Sequence, residues 1–126
     1  LSDVVSSLTA GQGADLAFDP VGGSLLKELI KSVRERGSVV SIGFAGGAEA
    51  CLDLAEIVIH EKRLLGYDAW LETDEAVSSA FSAIRAFIEK GVVRPVIDSA
   101  WKLEEREEAY KRLASRQAIG TILLRP

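Results

Sequence analysis

Two short glycine turns are where this chain most readily sites chemistry. Pro20-Val21-Gly22-Gly23 and Gly43-Phe44-Ala45-Gly46-Gly47 each follow a short apolar run that reads as a strand. Glycine has no Cβ, so the backbone there approaches a ligand closely and exposes its amides as donors. In open parallel sheets the crevice beyond the carboxyl ends of the strands is the ligand site. A flat, amide-bearing ring such as nicotinamide suits main-chain groups of this kind. The competing reading is that the glycines only make tight turns, and short glycine motifs often match by accident.

The side chains offer less. Asp19 is the acid placed directly at a strand end; it either fixes a hydroxyl or a loop amide, or is an ordinary turn aspartate. His60, the sole histidine, sits beside Glu61 and Lys62 at a helix end, without a ligand set at metal spacing. Cys51 has neither a local histidine nor a Cys-x-x-Cys context and reads as a small packed residue. The glutamates of 104–108 read as a solvated helix face. Tyr67, Trp70 and Trp101 suit either aromatic stacking on a ligand or packing in a core or subunit interface. No nucleophile–base pair, metal cluster or phosphate-cradling loop of the Walker type appears, so no catalytic residue is assigned.

The elements that must position the turns follow from hydrophobic spacing. Residues 2–8 read as a helix end and 14–18 as a strand buried on both faces. Leu25, Leu26, Leu29, Ile30 and Val33 recur at helical spacing, and Gly37 is the expected terminator. Residues 38–42 then read as a second strand. Strand, glycine turn, helix, strand and glycine turn is the order of a parallel sheet with crossover helices, an α/β fold. A short helix over 54–60 and a strand over 63–67 follow. Thr73 and Asp74 cap a long helix that Gly91 ends. Arg94-Pro95 forces an extended start to a strand over 96–98. An acidic-to-basic helix over 103–115 and a strand over 119–124 complete the chain. Nothing between Tyr67 and Val96 looks like a flexible linker, so one continuous unit is expected.

Composition narrows the classes. With 126 residues the chain has room for one compact domain, and 48 % hydrophobic with 27 % charged residues predicts a buried core. No apolar run approaches the roughly 20 residues that cross a bilayer, so no membrane partner is expected. The net charge of −4 argues against nucleic acid, which calls for a basic excess. A single cysteine cannot form an internal disulfide, and a reducing, cytoplasmic compartment is expected. The chain opens on Leu1 and contains no methionine, as expected of a stretch of a longer protein or of the processed form of a longer precursor.

Five stretches together carry a resemblance. They are Gly13-Ala14-Asp15-Leu16-Ala17-Phe18-Asp19-Pro20-Val21-Gly22-Gly23; Gly37-Ser38-Val39-Val40-Ser41-Ile42-Gly43-Phe44-Ala45; Lys90-Gly91-Val92-Val93-Arg94-Pro95-Val96-Ile97-Asp98; Leu103-Glu104-Glu105 with Ala109-Tyr110; and Ala118-Ile119-Gly120. In this order and approximate spacing the chain resembles the medium-chain dehydrogenase/reductase superfamily, especially its quinone oxidoreductase-like branch. Each stretch is weak alone, but five in register span nearly the whole chain.

The resemblance implies a partial Rossmann fold, a doubly wound parallel sheet. Residues 1–90 would form the second half of an NAD(P)-binding domain, and 91–126 would return to the catalytic domain. Pro20, Val21 and Gly22 would lie on the nicotinamide-ribose side, and Gly43, Phe44 and Ala45 would border the ring. It implies NADP, or NAD, as cofactor and a quinone, enone or small carbonyl or alcohol substrate. A homodimer through the edge strand near 64–67 is also implied, and an exposed edge is independently a pairing surface. The family's Gly-rich fingerprint and its NAD/NADP selector would precede Leu1. No zinc ligand of the zinc-dependent branch is visible in this segment. Gly120 is followed by Thr121 where the family commonly has a basic residue near the cofactor. The alternative is a non-catalytic nucleotide-binding or dimerisation module derived from such enzymes. A Rossmann-like methyltransferase piece is a third reading, opposed by the 94–98 segment and the tail.

Overall fold

The computed structural model describes residues Leu1–Pro126. Instead of one continuous unit, the chain forms two compact ones, Leu1–Glu72 and Thr73–Pro126. In the first, helix α1 (Ser2–Leu8) leads to strand β1 (Ala14–Asp19), helix α2 (Leu25–Ser32) and strand β2 (Val33–Ser41). Helix α3 (Leu54–Ile59) and strand β3 (Arg63–Gly66) follow, then a 3-10 turn over Ala69–Leu71. The three strands form one parallel sheet in the order β1-β2-β3. Parallel neighbours need crossovers, and α2 and α3 supply them.

The apolar stripe of α2 explains how it packs. Leu26 and Ile30, one turn apart, are buried with Val33 and Val39, and Ala17, Leu29, Leu52 and Ile57 close around them. Buried Lys62 ties the helices together, its Nζ donating to the Ile30 carbonyl at 2.9 Å and to Glu56 Oε1.

The helix-to-strand boundary differs from the expectation. Gly37 does not terminate α2; the helix ends at Ser32 and Val33 is already extended, with ψ 146°. Ser32 Oγ donates back to the Glu28 carbonyl at 2.6 Å, a local bond that competes with the helical ladder. β2 then takes up surplus residues, since Ala14 pairs with Val33 whereas Leu16 pairs with Ser38. Gly37 serves this irregularity: a Cβ there would lie 2.8 Å from the Arg34 carbonyl oxygen. Close approach, not a left-handed cap, calls for the glycine.

The second unit holds helix α4 (Asp74–Glu89), strand β4 (Ile97–Lys102), helix α5 (Arg106–Ala114) and strand β5 (Thr121–Arg125). Thr73 Oγ1 accepts from the Ala76 amide at 3.2 Å, as a capping residue should. Gly91, at φ +69°, ends α4. β4 runs four residues past Asp98, further than its sequence suggested, because β5 pairs parallel with it as far as Lys102 and Arg125.

Asp98 is the staple of this unit. Its side chain is buried and takes two bonds from Arg112, Nε to Oδ2 at 3.0 Å and Nη2 to Oδ1 at 2.7 Å. The Ile119 amide donates to Oδ1 at 2.9 Å, so one carboxylate gathers β4, α5 and the approach to β5. The Arg112 guanidinium, with the Ile119 amide, holds the Asp98 carboxyl well below the usual carboxylate range. No helix is long and apolar enough to cross a membrane.

Candidate functional site

Register places the ends of the three strands of the first unit in a row. Asp19 pairs with Ser41, and Ser41 pairs with Gly66. The Ile42 amide donates to the Asp19 carbonyl at 2.8 Å and the Tyr67 amide to the Ser41 carbonyl at 2.9 Å. Both glycine turns therefore leave the same end of the sheet.

The turns also touch. The Gly46 amide donates to the Val21 carbonyl at 2.6 Å, and Gly22 and Gly47 form a parallel bridge. A Cβ at Gly43 would sit 2.5 Å from the Pro20 carbonyl oxygen, and one at Gly22 would sit 2.8 Å from that of Gly47. Gly22 is also left-handed, at φ +71°. Glycine is thus dictated at both positions by backbone meeting backbone. The amides of Gly43, Phe44 and Ala45 donate to no other main-chain group.

Asp19 lies beneath this arrangement and is completely buried. Its Oδ1 accepts from the amides of Val21 at 3.0 Å and Gly22 at 2.9 Å. Its Oδ2 is buried with no partner. Bonds to amides two and three residues on are those of a turn aspartate. Of the two readings left open by the sequence, the structure shows the turn role, with Oδ2 left over.

A groove of about 690 Å³ opens at this end. Among the expected contacts, Gly22, Gly43 and Phe44 line it, and the Phe44 ring is largely exposed. Pro20, Val21 and Ala45 do not line it; Pro20 and Val21 brace the second turn through their carbonyls. A third wall is made by Gly66, Tyr67, Asp68, Trp70 and Leu71. The sequence offers Tyr67 and Trp70 for stacking or for packing, and does not single out the other three. Asp68 Oδ1 accepts from the Trp70 amide at 3.0 Å and fixes the 3-10 turn that carries the indole. The signal that finds this wall is the predicted strand over 63–67, whose carboxyl end must align with the other two.

Other candidates are elsewhere. His60 lines a separate cleft of about 610 Å³ at the amino ends of the strands, with Arg34, Glu35, Arg36 and Glu61. Its Nδ1 lies 3.6 Å from Glu35 Oε1, and Arg36 pairs with Glu61 at 2.8 Å. Cys51 is exposed and free, a correction to its reading as a packed residue. Trp101 belongs to the second unit and donates to Ser99 Oγ at 2.9 Å. No three His, Cys, Asp or Glu side chains converge at metal-ligand spacing. The residues of this chain do not fit a zinc ion, and no step is assigned to one.

Parallel strands, helices in the crossovers and glycine turns at the carboxyl ends define an α/β dinucleotide-fold segment. The chain belongs to the zinc-binding dehydrogenase family, whose model matches residues 1–124, within the medium-chain dehydrogenase/reductase superfamily. It is 28 % identical over 127 residues to quinone oxidoreductase-like protein 2 of Mus musculus, covering 98 % of this chain and 36 % of that protein. It is 29 % identical over 133 residues to 2-haloacrylate reductase of a Burkholderia species, covering 99 % and 39 %. A mycobacterial protein complexed with NADPH shares the fold, with a TM-score of 0.81 at 21 % identity, covering 99 % and 40 %. The chain thus spans a little over a third of the length of these relatives. The superfamily and the α/β, Rossmann-type fold class expected from the sequence are both borne out.

Proposed function

We propose that this chain is part of an NAD(P)H-dependent oxidoreductase that transfers hydride between nicotinamide and a quinone, enone or other small carbonyl or alcohol. Residues 1–90 supply the second half of its dinucleotide-binding domain, and 91–126 return to its catalytic domain. The observation that carries this reading is the contact of two glycine turns at adjacent strand ends, with three unused amides beside an open groove. Relatives named as a quinone oxidoreductase-like protein and a reductase, and a fold neighbour holding NADPH, support it.

The groove suits the nicotinamide half of NADP or NAD. Gly22 faces the ribose side, Pro20 and Val21 brace the second turn from the first, and the missing Cβ at Gly22 lets the two turns close on each other. Gly43 and Phe44 border the ring, with Ala45 next to them in the turn, and the free amides of Gly43 and Phe44 are donors for its carboxamide. When bound, the cofactor supplies the hydride, and the protein's work is to orient and shield it. Phe44 and Trp70 stand exposed at the groove, where a bound ring gives them a surface to cover. No proton-transfer group is assigned within this chain.

The sheet ends at β3, which pairs with β2 alone and leaves an open outer edge. Such an edge is a template for another strand, and we assign it to a homodimer. The lone exposed Cys51 suits a reducing, cytoplasmic setting.

The test is titration of the full-length protein containing this chain with NADPH and NADH, followed by turnover on a panel of quinones, enones and aldehydes. Binding with turnover is the expected result. Tight binding with no turnover on any substrate would favour a nucleotide-binding module, and no binding of either cofactor would end the proposal. The 126-residue chain alone is expected to show no useful turnover, and rapid NADPH oxidation by it with a quinone would contradict that.

A further inference from the structure

The least comfortable residue of the first unit is Asp19. Burial of a carboxylate is costly unless its oxygens find donors or a counter-charge. Oδ1 has two amide donors, yet Oδ2 has none and the side chain is sealed from solvent. No lysine, arginine or histidine bonds to it; the first unit's buried ammonium, Lys62, is engaged by Ile30 and Glu56. An asparagine or serine oxygen would cap the same turn without an unpartnered charge-bearing oxygen. A buried polar atom left unsatisfied calls for an explanation, and functional sites are where such costs are retained.

Its position supplies one. Asp19 reaches both turns at once, the first through its side chain on Val21 and Gly22, the second through its carbonyl on Ile42, next to Gly43. Resting on the cofactor reading above, we infer that Asp19 is the positioning residue of the cradle. Its side chain fixes the first glycine turn, against which the second rests, and biases the site towards the oxidised, cationic nicotinamide over the neutral reduced one. The electrostatic part follows from charge alone. The nicotinamide ring carries a positive charge when oxidised and none when reduced. A buried carboxylate behind the turn attracts only the first, with little screening by water. A merely structural cap treats the two forms alike.

The experiment compares full-length protein with Asp19→Asn and Asp19→Ala, measuring Kd by fluorescence titration for NADP+ and NADPH, and for NAD+ and NADH. Asparagine keeps an acceptor for the two amides and removes the charge. D19N is expected to bind reduced cofactor within about twofold of the parent and oxidised cofactor roughly tenfold more weakly, a shift of the size expected for one partly screened charge. D19A, losing the cap, is expected to lose both forms and to speed hydrogen exchange at the Gly22 amide. Equal effects of D19N on the two redox forms, or none on either, would overturn the inference. Should D19A fail to fold, the near-isosteric D19N carries the test alone. If the unsubstituted protein binds no nicotinamide cofactor, the fault lies with the functional reading itself, and the role of Asp19 falls with it.

Discussion

A single methyl group at residue 43 brings a carbon 2.5 Å from the Pro20 carbonyl oxygen, and only movement of one of the two turns relieves it. Gly43→Ala is therefore expected to weaken cofactor binding at least tenfold, while costing about 1–3 kcal/mol of stability, the usual range for forcing an extra carbon into a packed site. Thermal melts and a cofactor titration on the same variant check both. Unaltered affinity would mean that the second turn is not part of the cradle. These turns were legible in the sequence because the feature that matters, the missing Cβ, is a property of residue type. The turn role of Asp19 is one of two readings the sequence offers, but its buried, unpartnered Oδ2 was not legible, since that depends on what closes over the strand end. For Tyr67 and Trp70 the sequence leaves stacking and packing open for a related reason: they reach the groove because Gly66 is in register with Ser41, a long-range pairing.

Among the elements, α3 and α4 show how directly local signals read out, and α2 shows where they conflict. β1 forms where expected, but Leu16 and Phe18 are exposed on it and it is not buried on both faces. Val33 continues the apolar stripe of α2 but is also β-branched and comfortable in a strand. It is buried in either state, so burial does not choose, and the parallel pairing with Ala14 decides for the strand. The cap of α4 had no competitor. Thr73→Ala removes the acceptor for the Ala76 amide and is expected to destabilise the second unit by about 1 kcal/mol, measured by chemical denaturation; a Thr73→Ser variant should retain most of it. Asp98 gives this unit a pH dependence of known sign. Its folded-state pKa is held below the unfolded value, first by Arg112 and then by the Ile119 amide. Its stabilisation is therefore present in full above the ordinary aspartate range, near pH ~4. It is lost progressively as pH falls from there towards the folded value. Asp98→Asn should lower the melting temperature at neutral pH, and the gap from the parent should close on acidification. A gap that persists unchanged to pH 2 would show that the carboxylate charge is not what Arg112 recognises.

At the scale of the whole molecule, the unusual feature is how much apolar side chain remains uncovered at the two margins of one sheet. Leu16 and Phe18 are exposed on β1, and Leu64 and Leu65 on β3. Each of these strands has one neighbour only. A chain that spans a little over a third of its relatives leaves room for other segments beside it, but the β3 margin is the one assigned to a second copy. The physical case is that an open parallel edge offers unpaired main-chain donors and acceptors, and apolar residues beside it add burial to the new hydrogen bonds. Proteins that avoid such pairing place charge on the edge, so adding charge should dissolve the assembly. In the full-length protein, Leu64→Lys with Leu65→Lys is expected to convert a dimer into a monomer, read by sedimentation velocity across a dilution series. The α2 core lies against β1 and β2, away from the outer edge of β3, so circular dichroism should be retained. An unsubstituted protein that sediments as a monomer, or a double variant that remains dimeric with the same dissociation constant, would remove β3 from the interface and leave its leucines to some other contact.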